Sequence, residues 1–289
     1  MPELPEVETI VRGLHTRVAG DTIESVWIGS RPQPLKSSAA AIASTLEGKR
    51  IVRVHRAGKH IVFDLEGAFA RRQKSPPSTS RQTRRAVPPQ QKPQWIVHLG
   101  MTGRMVVCEP AAEIVKHTHL IATLASGREL RFVDPRMFGK LSVHASGFDP
   151  GGVEPLEAGE EQFRALFRGR KTPIKSALLN QKLLRGVGNI YADESLFRAG
   201  IRPRRRAASL TRDQLRKLHR SVQEVLREAI ALGGSSISDY VDADGEEGFF
   251  QLQHRVYGRE AQPCLVCKAA IKRIVLVGRS SHYCPECQK

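Results

Sequence analysis

Two cysteine pairs close the chain: Cys264-x2-Cys267, sixteen intervening residues, then Cys284-x2-Cys287. This spacing constrains the tail more tightly than any hydrophobic pattern. Each pair fits a tight turn, and two turns on one hairpin bring four thiolates into a tetrahedron. Residues 271–277, between the pairs, have β-type sequence. A chance cluster or a redox pair is the alternative. Four thiolates leave no open position for water, so the metal expected is one structural zinc ion (Zn2+). His254 and His282 lie nearby and read as bystanders. Cys108, in Met105-Val106-Val107-Cys108, reads as a core residue of a buried strand. The five cysteines thus divide into a metal site and one spare, not a disulfide framework. Lys272, Arg273 and Arg279 give the hairpin a basic surface, suited to a nucleic-acid groove or simply to solvent.

Charge widens that choice to the whole chain. The net charge over 289 residues is +17, which points first to nucleic acid and second to an anionic membrane surface. Residues 71–93 hold seven basic residues, five prolines and no acid; without them the charge is still +10. That stretch reads as a solvated loop between strands, or as a basic arm along a phosphate backbone. No apolar run is long enough for a membrane helix. The N-terminus, with Glu3, Glu6 and Glu8, lacks a secretory pattern. An intracellular, cytoplasmic protein with no membrane partner is expected.

The first half reads as one helix followed by strands. Val7, Ile10, Val11 and Leu14 share one helical face in residues 5–18, and Gly20 ends the helix. β-type runs follow at 22–29, 50–65, 95–109, 117–134 and 140–144, with Ser126-Gly127 a hairpin turn in the fourth. Residues 147–159 have the composition of an interdomain linker. The period then turns helical. Thr172-Pro173 reads as an N-cap followed by proline at the first helical position. Thr211 with Gln214 reads as a capping box before Leu215, Leu218, Val222, Val225 and Ala229, and Gly233-Gly234 closes that helix.

Three further constellations carry chemistry, each with a plain alternative. Met1-Pro2-Glu3-Leu4-Pro5-Glu6 is an ordinary helix start, or a nucleophile. Without Met1 the chain begins on a secondary amine, and an α-amino group titrates near ~8 against ~10.4 for lysine. Attack on an aldehyde-like carbon would give an iminium, an electron sink. Arg185-Gly186-Val187-Gly188-Asn189 precedes a helical run at 190–199. It is a linker, or a site where backbone N–H groups take a phosphate. His98-Leu99-Gly100-Met101-Thr102-Gly103 and Asp134-Pro135-Arg136-Met137-Phe138-Gly139 are two turns with core anchors, or wedges that fill a gap in a base stack.

Taken in order, these motifs are specific. Pro-Glu-Leu-Pro-Glu-Val-Glu-Thr, His-Leu-Gly-Met-Thr-Gly, Asp-Pro-Arg-x-Phe-Gly, Gly-Val-Gly-Asn-Ile-Tyr-Ala-Asp-Glu, Val-Tyr-Gly-Arg and the Cys-x2-Cys pairs closely resemble the formamidopyrimidine-DNA glycosylase (Fpg) family. The resemblance covers the chain except residues 71–93. It implies an α+β multidomain fold: an N-terminal helix plus β-sandwich (1–146, with the insertion 71–93), a linker (147–159), a helical helix–two-turn–helix domain (160–257) and a zinc finger β-hairpin (258–289).

It also implies a bifunctional base-excision repair enzyme acting as a monomer on damaged double-stranded DNA. Such an enzyme removes 8-oxoguanine and formamidopyrimidines, then cleaves the strand by β,δ-elimination. By motif, Pro2 is the nucleophile and Glu3 the general acid/base. Glu6 sets the electrostatics of the terminus, Lys59 serves β-elimination and Arg279 δ-elimination. Met101, Arg136 and Phe138 match the intercalating triad, with Arg136 facing the estranged cytosine. His117, Lys171, Lys175 and Asn189 match backbone-binding positions, and residues 235–250, with Gly245 and Gly248, the loop over the extruded base. Met137 stands where many members carry a second arginine, so one phosphate contact is expected to be missing.

An endonuclease VIII-like glycosylase for oxidised pyrimidines shares the nucleophile, but Leu4 and the Met101, Arg136, Phe138 set favour the Fpg branch. A non-catalytic damage-binding protein would not require Pro2, Glu3, Lys59 and Arg279. A zinc-ribbon transcription factor leaves the N-terminal half without a purpose.

Overall fold

The computed structural model describes residues 1–67, 92–145, 147–235 and 248–289. Residues 71–91 of the inserted loop (71–93) and residues 236–247 of the expected lesion loop, including Gly245, lie outside this set. The chain forms two compact units. One comprises residues 12–55 and 61–148; the other comprises 1–11, 56–60 and 149–289.

The first helix, α1 (Leu4–Val18), buries Leu4, Val7, Ile10, Val11, Leu14 and Val18, a stripe at three- and four-residue spacing. Gly20, at φ 90°, turns the chain out of it. Eight strands follow: β1 (Thr22–Ile28), β2 (Lys49–Ala57), β3 (His60–Gly67), β4 (Gln94–His98), β5 (Arg104–Cys108), β6 (Thr118–Leu124), β7 (Glu129–Val133) and β8 (Lys140–His144). They form one sheet in the order β5-β7-β6-β1-β2-β3-β4-β8. The run 117–134 splits into β6 and β7 at the expected turn, where Gly127 takes φ 85°. The run 50–65 likewise turns back, at Gly58-Lys59.

Burial follows position in the sheet. Central β6 is buried on both faces except at Thr123, whereas edge strand β5 alternates, with Met105 buried and Val106 exposed. Cys108, at the end of β5, is therefore only half-buried and is not the core residue its apolar neighbours suggest. A short helix, α2 (Ala39–Leu46), was not legible as one. Ser38 caps it by accepting the Ala41 N–H at 3.2 Å, and Ile42 and Leu46 are buried.

The other unit is helical around a core containing Leu4, Phe163, Phe167, Leu184, Tyr191, Leu218, Val222 and Phe250. Its helices are α3 (Glu160–Phe167), α4 (Ile174–Leu178), α5 (Asn189–Ala199) and α6 (Arg212–Ala231). Helix α6 carries the expected capping box, with Thr211 and Gln214 bonded reciprocally, and ends before Gly233 and Gly234. Helix α4 corrects one expectation. Its cap is Pro173 and no side chain bonds the first turn; the Thr172 carbonyl instead accepts the Ala207 N–H at 3.0 Å. The linker-like stretch is irregular but packed, since Glu154 within it is buried.

The tail forms the hairpin β9 (Lys272–Leu276) and β10 (Arg279–Tyr283), paired in register from Arg279↔Leu276 to Tyr283↔Lys272. Val277 and Gly278 both take positive φ, as a two-residue turn between twisted strands requires. Among the described residues no helix is long and apolar enough to cross a membrane.

Candidate active site

The site is built where the N-terminus meets helix α5. The Leu4 N–H donates to the Gly186 carbonyl at 3.0 Å and docks the start of α1 on the glycine turn. Glu3 caps α1: its carbonyl accepts the Val7 N–H at 3.1 Å. Its side chain points the other way, to the start of α5, where Oε1 accepts the Ile190 N–H at 3.2 Å. Only glycine fits opposite it, because a Cβ on Gly188 would lie 2.2 Å from Glu3 Cδ. The glycine turn does present a helix N-terminus to an anion, as its sequence suggests. Among the described residues, the group at that helix start is the protein's own Glu3 carboxyl.

Glu3 Oε2 is buried and, among the described residues, has no hydrogen-bond partner. Burial pushes the Glu3 carboxyl up to about 7; nearby Lys59 opposes the shift, while Glu6 adds to it. Because the Ile190 N–H needs a lone pair on Oε1, the acid form carries its proton on Oε2, the oxygen without a partner. A carboxyl half-protonated near neutrality, with one free oxygen, can give and take a proton.

Glu6 is placed differently. Its Oε2 accepts the Glu3 N–H at 2.8 Å, and its Oε1 accepts the Ser235 N–H at 2.8 Å and the Tyr191 hydroxyl. Glu6 therefore ties the N-terminus to Tyr191 on α5 and to Ser235. Ser235 bridges Phe249 across the ends of the segment 236–247. Burial raises the Glu6 carboxyl, partly offset by the hydrogen bond from Tyr191.

Lys59 is buried in the β2–β3 turn. Burial lowers its ammonium below the usual lysine range; Glu3 and Glu6 pull it back up, and Arg279 pushes it down. Those couplings bring Glu3, Glu6, Lys59 and Arg279 into one electrostatic neighbourhood. An ion network holds the turn from behind. The Arg56 guanidinium donates to Glu154 at 2.7 and 3.0 Å, to Glu8 at 2.9 Å and to the Gly58 carbonyl at 3.0 Å. Arg185 joins Glu154 at 3.2 Å. Arg279 itself is exposed at the start of β10.

The expected DNA contacts do not behave as one class. Lys171 is exposed, and Asn189 opens α5 with its Nδ2 donating to Ser280 Oγ at 3.2 Å. Lys175 is a correction. Its side chain is 1 % exposed and its Nζ lies 2.8 Å from Asp193 Oδ1, also donating to the Ser280 carbonyl at 2.5 Å. An ammonium enclosed and paired in this way is not presented to a DNA phosphate.

In the sheet unit, Met101 and Phe138 are 42 % and 51 % exposed. The Arg136 guanidinium lies 5.1 Å above the Phe138 ring. Buried Asp134 holds the two turns together, accepting from the Thr102 hydroxyl at 2.5 Å and from the Gly139 and Arg136 N–H groups at 2.7 and 3.2 Å. Gly100, at φ 63°, packs so closely that a Cβ would meet the Phe138 carbonyl carbon at 2.5 Å. Met137 (φ 55°) and His117 (φ 71°) hold left-handed backbone, which is costly for side chains of this kind.

The four tail cysteines converge, with all Sγ atoms within 4.8 Å of one another. Cys264 and Cys267 cap one turn, and Cys284 and Cys287 another, with the Val266 and Cys287 N–H groups donating to Sγ atoms at 3.4 Å. This spacing fits a tetrahedron of four thiolates with Zn–S bonds of about 2.3 Å. The four residues are the ligands of one structural zinc. His254 and His282 stand outside the set: His254 Nε2 meets Ser235 Oγ at 3.3 Å, and the His282 N–H donates to Asp193 Oδ2 at 2.8 Å.

Sequence reasoning missed Tyr191, Ser235, Asp193 and Glu194. Glu194 is buried and accepts the N–H groups of Arg255, Val256 and Tyr257 at 2.8 to 2.9 Å. Adjacent acids among apolar and small residues of one helix, Asp193 and Glu194 beside Tyr191, Ala192 and Leu196, were the available signal.

Residues 1–141 match the formamidopyrimidine-DNA glycosylase N-terminal domain, 152–241 its H2TH domain, and 261–289 the zinc finger found in FPG and IleRS. The chain is 43 % identical to the formamidopyrimidine-DNA glycosylase of Solibacter usitatus over the full length of both. The crystal structure of MutM (Fpg) from Thermus thermophilus superposes with a TM-score of 0.81 at 39 % identity, covering 99 % of this chain and 98 % of that one. Lactococcus lactis Fpg, in complex with DNA containing an abasic site, gives 0.83 at 32 % identity, covering 99 % of each. The chain belongs to the formamidopyrimidine-DNA glycosylase family and is a base-excision repair DNA glycosylase and abasic-site lyase for oxidised purines.

Proposed function

We propose that this chain, as a cytoplasmic, DNA-associated monomer, excises 8-oxoguanine and formamidopyrimidines through the amine of Pro2. Removal of Met1 frees that amine. Its nitrogen bonds to C1′ as the N-glycosidic bond breaks; the base departs with the bonding pair and takes up the N–H proton that Pro2 releases, which leaves a tertiary amine on C1′. Glu3 delivers its Oε2 proton to O4′; the C1′–O4′ bond opens and leaves an iminium on Pro2. The iminium acidifies the 2′ proton. Lys59, with a lowered ammonium pKa, is the cation at the phosphate as that proton leaves and the 3′ phosphate is expelled. The conjugated iminium acidifies the 4′ proton in turn, and its loss expels the 5′ phosphate, with Arg279 on the departing oxygens. Water releases the remaining fragment from Pro2. Zinc takes no step and holds the hairpin that carries Arg279.

Met101, Arg136 and Phe138 fill the place of the extruded nucleotide, at an unstacking cost of a few kcal/mol. His117, Lys171 and Asn189 hold the backbone. The observation that carries this reading is the unpaired, buried Glu3 Oε2, one residue from Pro2 and within the field of Lys59.

Borohydride trapping on duplex DNA with 8-oxoguanine opposite cytosine tests it. The native terminus is expected to give a covalent adduct through Pro2. An uncleaved extension ahead of Pro2 turns the amine into an amide and is expected to abolish trapping and excision while DNA binding persists. Full activity with a confirmed N-terminal extension would refute the mechanism.

A further inference from the structure

Lys175 and Asp193 form a fully enclosed ion pair, with side chains 1 % and 0 % exposed. Such a pair is an expensive way to fill a core, since apolar residues of similar volume serve stability equally well or better. Among the described residues, the other side-chain hydrogen bonds of this pair reach one strand, β10. Lys175 Nζ donates to the Ser280 carbonyl at 2.5 Å. Asp193 Oδ2 accepts the His282 N–H at 2.8 Å and lies 3.4 Å from His282 Nδ1. One turn earlier on α5, Asn189 Nδ2 donates to Ser280 Oγ at 3.2 Å.

Two alternate residues of β10, Ser280 and His282, are thus held at fixed height against α5. Side chains alternate along a strand, so fixing Ser280 and His282 also fixes the level and direction of Arg279 on the opposite face. The hairpin has only two strands, and such a ribbon holds little register by itself. Zinc clamps its far end, at Cys284 and Cys287, and does not touch the tip.

We propose that Lys175 and Asp193 are positioning residues for the second elimination, locking β10 to α5 so that Arg279 reaches the departing 5′ phosphate. The proposal rests on Arg279 serving that step. The charges of Arg279 and Glu3 both act on Lys175, which agrees with a bolt set just behind the site.

The test uses the full zinc-loaded chain and a 5′-labelled duplex with one abasic site. Strand ends separate into the unsaturated aldehyde of β-elimination and the 3′-phosphate left after δ-elimination. Asp193→Asn is expected to form borohydride adduct and β-product at the native rate, while the rate of conversion to 3′-phosphate falls about tenfold or more, as expected for misplacement of about 1 Å. The double variant Lys175→Met/Asp193→Leu buries no charge, so it folds without the bolt and is expected to show the same selective loss.

A native conversion rate in either variant, with full zinc content, would overturn the proposal. Loss of zinc or of trapping in the double variant would show that the pair merely holds the fold, and would overturn it too. Arg279→Ala separates the two readings. If that variant still makes 3′-phosphate at the native rate, the assignment of Arg279 fails; if only the pair variants do, the bolt fails.

Discussion

Gly188→Ala isolates the contribution of Glu3 without touching Glu3. The Gly188 backbone sits at φ −128° and ψ −160°, extended geometry that alanine adopts freely, so the effect is purely spatial. The new Cβ would meet Glu3 Cδ at 2.2 Å and its oxygens at 2.4 and 2.5 Å. Ordinary carbon contacts begin near 3.5 Å, so the carboxyl must withdraw by about 1.3 Å or more. It then loses the Ile190 N–H and moves toward water, where it titrates at its ordinary 4.5 instead of about 7. At pH 7 the acid form falls from roughly half to about 0.3 %, a loss of about 150-fold. At pH 5 it falls only from nearly all to about a quarter, or about fourfold.

Single-turnover excision of 8-oxoguanine, enzyme in excess, reads the ratio of variant to native rate at each pH. Titration of the Pro2 amine is common to both proteins and cancels. The expected result is a deficit of about 100-fold at pH 7 that shrinks toward pH 5, down to a pH-independent floor set by the misplaced carboxyl. A native rate at pH 7 would refute the placement of Glu3. A deficit that grows toward acid would refute its role as the proton donor.

Two other outcomes follow from buried groups away from Glu3. Burial lowers His254 from 6.5 to about 4. The unfolded chain therefore binds more protons between those values, and stability present above pH 6.5 is lost as pH falls toward 4. Urea unfolding is expected to show His254 costing about 2 kcal/mol between pH 7 and pH 5, with a shallower dependence in His254→Gln; parallel curves would contradict this. Asp134→Ala removes the acceptor for Thr102, Arg136 and Gly139 and is expected to cost about 3 kcal/mol of unfolding free energy. It should slow excision from duplex more than cleavage at a preformed abasic site, where no base must be displaced; equal slowing would separate Asp134 from the wedge.

What the sequence showed, and what it hid, divides along a physical line. Period and punctuation depend on neighbours in the chain, and they were readable: the apolar stripe of α1, the Thr211 capping box, the Ser126-Gly127 turn, the cysteine spacing. Burial of one strand against others was not readable, which is why Cys108 looked like core although β5 lies at the sheet edge. Helix α2 hid because it is one short run rich in alanine, with only Ile42 and Leu46 to mark a face. Sequence order also conceals that residues 1–11 and 56–60 pack in the same compact unit as 149–289.

Lys175 and Gly188 show why matching a motif stops short of assigning a partner. The Gly188 turn was read as a place to take a phosphate from its own backbone chemistry, and Lys175 as a backbone-binding position from its match to the family motif. An ammonium needs an anion and a helix N-terminus attracts one, but neither fact says whose anion it is. Here Asp193, eighteen residues along the chain from Lys175, satisfies the ammonium, and Glu3 satisfies the helix start. In the mechanism proposed above, the Glu3 pairing sets the proton donor beside Pro2 and the Lys175–Asp193 pairing braces Arg279. A long-range partner of this kind leaves no periodic trace. The mark it left was a pair of adjacent acids, Asp193 and Glu194, on a stretch of α5 that the fold buries from Tyr191 to Leu196.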